Sequence, residues 1–160
     1  LEDFTTLVDL DVDAFIPVDY IVNEIQKLDI YKRIAGIETV QESDDMRDEL
    51  CDRFGNVPKS VENLLRIALI RSRAHKLYIT ELKGGREQIR FTMKSDAAVQ
   101  IDHIPQLLKR HDKYLKFITK GTPYFLYKYK KSGMVEKDEE KLLTLTENLL
   151  DDMEELIIKI

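Results

Sequence analysis

The stretch Pro58-Lys59-Ser60-Val61-Glu62-Asn63-Leu64-Leu65-Arg66-Ile67-Ala68-Leu69-Ile70 runs on toward Leu77, and there the hydrophobic pattern changes its period. Val61, Leu64, Leu65, Ile67, Ala68, Leu69 and Ile70 place apolar groups around most of a helical circumference, and Pro58 suits a first helical turn. The spacing predicts a central buried helix. Beyond Leu77, residues 78–83 and 87–94 are short β-rich runs joined across Gly84-Gly85-Arg86, the pattern of a hairpin. Helices before this point and hairpins after it predict an α+β fold rather than a wound parallel sheet.

Toward the N-terminus, Val8, Leu10 and Val12 alternate with Asp9, Asp11 and Asp13, which reads as a strand with one wet face, ended by Pro17. Ile21, Ile25, Leu28, Tyr31 and Ile34 (or Ala35) then recur at helical spacing, predicting a helix near 19–35 that stops at Gly36. Ser43 reads as the N-cap of a second helix over 44–54, with Asp44 and Asp45 favourably placed against its dipole and Gly55 just past its end. Toward the C-terminus, a short helix is expected over 97–110, its start displaced by Pro105. A second hairpin (115–120 with 124–131) turns at Gly121-Thr122-Pro123. A long amphipathic helix over 137–158 follows, with Leu142, Leu145, Leu149, Met153 and Leu156 as its stripe.

These elements predict a strand-like arm over 1–17, joining from the preceding part of a longer parent, and a single domain over 18–160. Within that domain residues 18–77 form a helical half and 78–160 a hairpin and helix half. The opening Leu1, in place of a methionine, also points to a piece of something longer. No apolar run approaches the roughly 20 residues that span a bilayer, and no signal-peptide pattern opens the chain, so no membrane is expected and the cytoplasm is the default. The lone Cys51 excludes an internal disulfide framework.

Motifs for chemistry are missing. The sequence contains no G-x-x-x-x-G-K-[ST], no G-x-G-x-x-G, no H-E-x-x-H and no G-x-S-x-G. His75, His103 and His111 are too scattered to share a metal, and His75 reads as a solvated or dipole-facing residue near a helix end. Cys51 lies mid-helix without an activating histidine nearby in sequence and reads as a small buried hydrophobe. We therefore expect no enzyme, no cofactor and no metal in this chain.

Charge is segregated instead. Residues 38–52 hold seven acidic residues against Arg47, residues 109–131 hold eight basic residues against Asp112, and residues 136–155 are acidic again. Blocks of this kind create local fields that select partners. On the second predicted helix, Asp45, Asp48, Glu49 and Asp52 stand at i, i+3, i+4 and i+7, within an arc of about 100°. Met46, Leu50 and Phe54 take the other side. Four like charges on one face repel, so the strip reads either as a docking surface for a basic partner or as an ordinary wet face eased by Arg47 and Arg53.

Three linked motifs carry a resemblance. They are Ile16-Pro17-Val18-Asp19-Tyr20-Ile21, then Leu28-Asp29-Ile30-Tyr31-Lys32-Arg33-Ile34-Ala35, then Glu49-Leu50-Cys51-Asp52-Arg53-Phe54-Gly55-Asn56-Val57-Pro58. In order and spacing, over residues 7–80, the chain resembles the C-terminal regulatory (TRCF) domain of bacterial transcription-repair coupling factors (Mfd). The resemblance implies a parent that is an ATP- and Mg-dependent translocase on double-stranded DNA. Such a parent pushes on stalled RNA polymerase and recruits the excision-repair protein UvrA. It further implies an autoinhibitory role for this domain, which would mask the N-terminal UvrA-binding module of the same polypeptide until polymerase is engaged. Glu49 and Asp52 fall at motif positions used in that contact, so Asp45, Asp48, Glu49 and Asp52 are the expected partner-binding residues. Arg53, Phe54 and Gly55 read mainly as structural.

An alternative comes from the basic block, where lysines including Lys116, Lys128 and Lys130 interleave with Tyr114, Phe117, Tyr124, Phe125, Tyr127 and Tyr129. Cations and aromatics on a sheet can grip a nucleic-acid backbone and stack bases. Equally, alternate aromatics can be core while lysines guard sheet edges.

Overall fold

The computed structural model describes residues 4–97, 99–129 and 138–156. Two compact units divide the chain, one spanning Val12–Ser72 and the other combining the first eleven residues with Arg73 onward.

In the helical unit, α1 (Glu24–Ala35) begins later than the spacing predicts. Asn23 caps it, its side chain accepting from the backbone N–H groups of Ile25 and Gln26, while Tyr20 N–H turns back onto the Pro17 carbonyl. Ile30 and Ile34 are the buried stripe, whereas Ile25 and Leu28, though helical, are exposed; Ile21 is buried but lies ahead of the helix. The second helix, α2 (Val40–Phe54), starts earlier than expected. Its N-cap is Thr39, not Ser43. Thr39 accepts from the Glu42 N–H and the Glu42 carboxylate accepts from the Thr39 N–H, a reciprocal capping box. Ser43 is buried inside the helix. Gly55 ends α2 at φ 90°, a conformation that a side chain would strain. Cys51 is exposed, which corrects its reading as a core residue: it sits outside the stripe of Ser43, Met46 and Leu50 that faces inward. α3 (Lys59–Lys76) matches its prediction. The core gathers Ile16, Ile21, Ile30, Ile34, Leu50 and Leu65.

The other unit is built on a five-stranded mixed sheet. Its strands are β1 (Leu7–Leu10), β2 (Ile79–Gly84), β3 (Gln88–Met93), β4 (Leu115–Ile118) and β5 (Tyr124–Lys128). In space their order is β1-β2-β3-β5-β4, with only β1–β2 parallel. Both predicted hairpins form, and a connection through α4 returns the chain to the far edge so that β5, not β4, lies beside β3. Pro105 stands in the first turn of α4 (Ile104–Arg110), preceded by a 3-10 turn at Ile101–His103, so the helix expected from 97 starts later. Proline is tolerated there because the first-turn N–H groups lack helical partners anyway. α5 (Glu139–Met153) is capped by Asp138 and continued by a 3-10 turn, Glu154–Leu156. Leu142, Leu149, Met153 and Leu156 of its predicted stripe are buried. His75 is half-buried, stacked on Phe4 at 4.3 Å with its Nδ1 3.1 Å from the Thr6 hydroxyl, rather than solvated. Together, helices and a largely antiparallel sheet make the chain α+β.

Candidate docking surface

Of the four strip residues, Glu49 differs from the rest. Arg33 reaches from α1 to grip its carboxylate in a bidentate pair, both N–O distances 2.6 Å, and Arg53 adds a third contact at 2.8 Å from one turn later on α2. Hydrogen bonds from Arg33 and then Arg53 hold the Glu49 carboxyl at about 2, against an ordinary 4.5. Asp45 is exposed and accepts from the Gln41 amide at 2.8 Å. Asp48 and Asp52 are exposed and have no side-chain partner among the described residues. On the flank, Arg47 pairs with Glu62 through Nε at 2.9 Å and with Asp44 at 2.9 Å. The strip is therefore one clamped carboxylate, one lightly held and two open.

The motifs that carried the resemblance prove to be tied to one another. Ile16 N–H donates to the Tyr31 hydroxyl at 2.8 Å, linking the first motif to the second. The Tyr20 hydroxyl lies 3.2 Å from the Leu50 carbonyl and 2.9 Å from that of Gly55, so it satisfies the end of α2 and links the first motif to the third. Arg33–Glu49 links the second to the third. Phe54 packs its ring 5.9 Å from that of Tyr20, under the Arg53 guanidinium at 4.9 Å. Glu49 thus has a structural reason to occupy its motif position; Asp52 has none. Sequence reasoning missed the Arg33–Glu49 pair because the two residues lie 16 positions apart on different helices.

In the basic block, Lys116 on β4 and Lys128 at the end of β5 are exposed, while Lys130 lies outside the described residues. Most of the interleaved aromatics turn inward. Phe125 is buried with the Phe117 ring at 4.4 Å, Tyr114 stacks on Tyr127 at 5.8 Å, and burial pushes the Tyr129 hydroxyl up to about 12. Arg110 is engaged with Asp152 and Glu155, both at 3.0 Å, and His111 lies 2.6 Å from Asp152. Among the described residues no group of His, Cys, Asp and Glu is arranged to hold a metal, and no helix is long and apolar enough to cross a membrane.

Comparison with known proteins agrees with this geometry. The family model described as the TRCF domain matches residues 10–104. The transcription-repair-coupling factor of Bacillus subtilis is 38% identical over 101 residues, covering 63% of this chain and 9% of that protein. Its counterpart in Borreliella burgdorferi is 33% identical over 106 residues, 66% of this chain and 9% of that protein. The Staphylococcus aureus (strain USA300) factor is 39% identical over 95 residues, 59% and 8%. The chain thus spans about a tenth of the length of these relatives. A crystal structure of the C-terminal domain of transcription-repair coupling factor matches with a TM-score of 0.74 at 24% identity, over 96% of this chain and 97% of that one. That match extends the fold likeness across β4, β5 and α5, where the motifs are silent.

Proposed function

The chain belongs to the TRCF domain family, and from that premise we propose that it is the autoinhibitory docking domain of a transcription-coupled repair translocase. In this reading the exposed carboxylates of α2 dock on a basic surface of the N-terminal UvrA-binding module of the same polypeptide. They mask that module until RNA polymerase is engaged. The observation that carries the reading is the pair Asp48 and Asp52: open carboxylates on a helix whose two ends are capped and whose inner side is buried. A rigid element with unspent charge loses little entropy on docking and steers an oppositely charged partner. Asp45 adds to the same field. Glu49, clamped by two arginines, contributes mainly by fixing α2 against α1. We assign no catalytic step to this chain; ATP, Mg and contacts to double-stranded DNA belong to the rest of the parent, in the cytoplasm.

The test is the double reversal Asp48→Lys/Asp52→Lys, with binding to the N-terminal module measured by calorimetry. Affinity should fall by about 1–3 kcal/mol, roughly five- to 150-fold, while circular dichroism is unchanged. In the full parent the same change should raise UvrA binding without polymerase. Undiminished binding by a folded double variant overturns the assignment.

A further inference from the structure

Strand alternation sorts the side chains of the sheet onto two faces. Leu82, Ile89, Phe91, Leu115 and Phe125 share the buried one. On the other stand four exposed cations, Lys83 of β2, Arg90 of β3, Lys128 of β5 and Lys116 of β4. Two of them, Lys83 and Arg90, lie outside the basic block that the sequence singles out. The register sets Lys83 directly opposite Arg90, Arg90 opposite Leu126, and Leu126 opposite Lys116, a single row across four strands. At the usual strand spacing that row spans about 14 Å.

Such an arrangement costs stability. Like charges directly opposite one another on a sheet repel. The row contains one relieving anion, Asp9, which is opposite Lys83 on β1, and Glu81 lies on the same face one row away. None of the four cations forms an ion pair among the described residues. Arg90 instead lies over the Tyr124 ring, 5.0 Å from its centroid. Leu126 and Ile118, half-buried, put apolar surface between the charges.

The geometry points to this sheet face as a binding surface for single-stranded nucleic acid, with the four cations on successive phosphates and the Tyr124–Leu126–Ile118 patch against sugars and bases. Cations interleaved with an aromatic on an open sheet supply both backbone neutralisation and a stacking platform. A single strand fits better than a duplex because the major groove of B-DNA admits a helix or a two-stranded ribbon, not a five-stranded sheet. This surface is independent of the α2 strip, so failure of either reading leaves the other standing.

The test is fluorescence anisotropy of the whole chain with a labelled dT20 oligonucleotide, the matching duplex, and a (Glu)20 peptide as competitor. The proposal expects the single strand to bind more tightly than the duplex, with log K falling against log salt at a slope of about −2 to −3, as three or four phosphate contacts require. Arg90→Glu/Lys116→Glu should weaken binding at least tenfold, Asp9→Asn should strengthen it severalfold, and Lys32→Glu on α1 should leave it unchanged, each variant checked for native circular dichroism. Absent binding, a duplex preference, equal displacement by (Glu)20, or indifference to the double reversal in a folded protein would each overturn it.

Discussion

The helical unit and the sheet unit spend their charges differently. In residues 12–72, the recognisable polar residues are turned onto each other: Arg33 and Arg53 on Glu49, Arg47 on Glu62 and Asp44, and the Tyr20 hydroxyl on the end of α2. In the sheet unit ion pairs cluster at α5 and the 3-10 turn after it, where Arg73 meets Asp151 and Glu154 and Arg110 meets Asp152 and Glu155, and Lys94 meets Asp96 beyond β3. On the other face of the sheet, Lys83, Arg90, Lys116 and Lys128 form no ion pair among the described residues. The most legible motif residues here hold the fold, and our two binding proposals rest on the charges left over: Asp48 and Asp52 on one unit, the Lys83–Arg90–Lys116 row on the other.

The contrast is most easily broken at Leu50, which is fully buried on the inner side of α2. Leu50→Asp should cost at least about 4 kcal/mol, since an unpaired charge would sit in an apolar core. Urea denaturation followed by far-ultraviolet circular dichroism should show the helical signal lost first. A variant that kept its full helical signal and native midpoint would contradict the packing of α2.

The sheet unit has a smaller but sharper weak point. A Cβ at Gly84 would lie 2.9 Å from Leu10 Cδ2 and 3.3 Å from Ile89 Cγ1. Gly84→Ala should therefore destabilise by about 1–2 kcal/mol through forced repacking where β1 joins β2. Amide exchange should rise in β1 first. Unchanged protection there would mean that the parallel pairing tolerates the extra atom.

The smallest expected effect sharpens the account of the strip. Because the Glu49 carboxyl is held at about 2 in the folded chain against an ordinary 4.5, it stabilises fully above the unfolded value. That contribution fades as pH falls from about 4.5 toward 2. With a third of the Glu49 side chain exposed, solvent screening reduces it to about 1 kcal/mol. Glu49→Gln should lose this much at neutral pH and flatten that part of the acid-denaturation curve. If it instead proved near neutral in stability, as Asp52→Asn on the exposed face should, Glu49 would be an open docking residue and not a tie between helices.

Much was legible before folding was considered. The change from helical to alternating spacing after Leu77 identified the α+β class, both hairpins and the buried α3, because the direction of successive side chains follows from backbone geometry alone. Helix starts were less legible. Ser43 reads as the cap of α2 from its place before the acidic run, whereas Thr39 caps it through the reciprocal bond with Glu42. Ile25 and Leu28 had core spacing yet point to solvent, since burial requires a neighbour and not merely a period.

What the chain determined by itself is this local order together with the chemistry available: no nucleotide loop, an acidic stretch near 45–52 and a basic one near 109–131. Tertiary structure alone decided which charges are spent. The Arg33–Glu49 clamp and the alignment of Lys83 and Arg90 with Lys116 join residues far apart in sequence, through helix packing in one case and through the β3–β5 register in the other. Long charged side chains reach whatever the fold brings within a few ångströms, and no periodicity along the chain encodes that meeting.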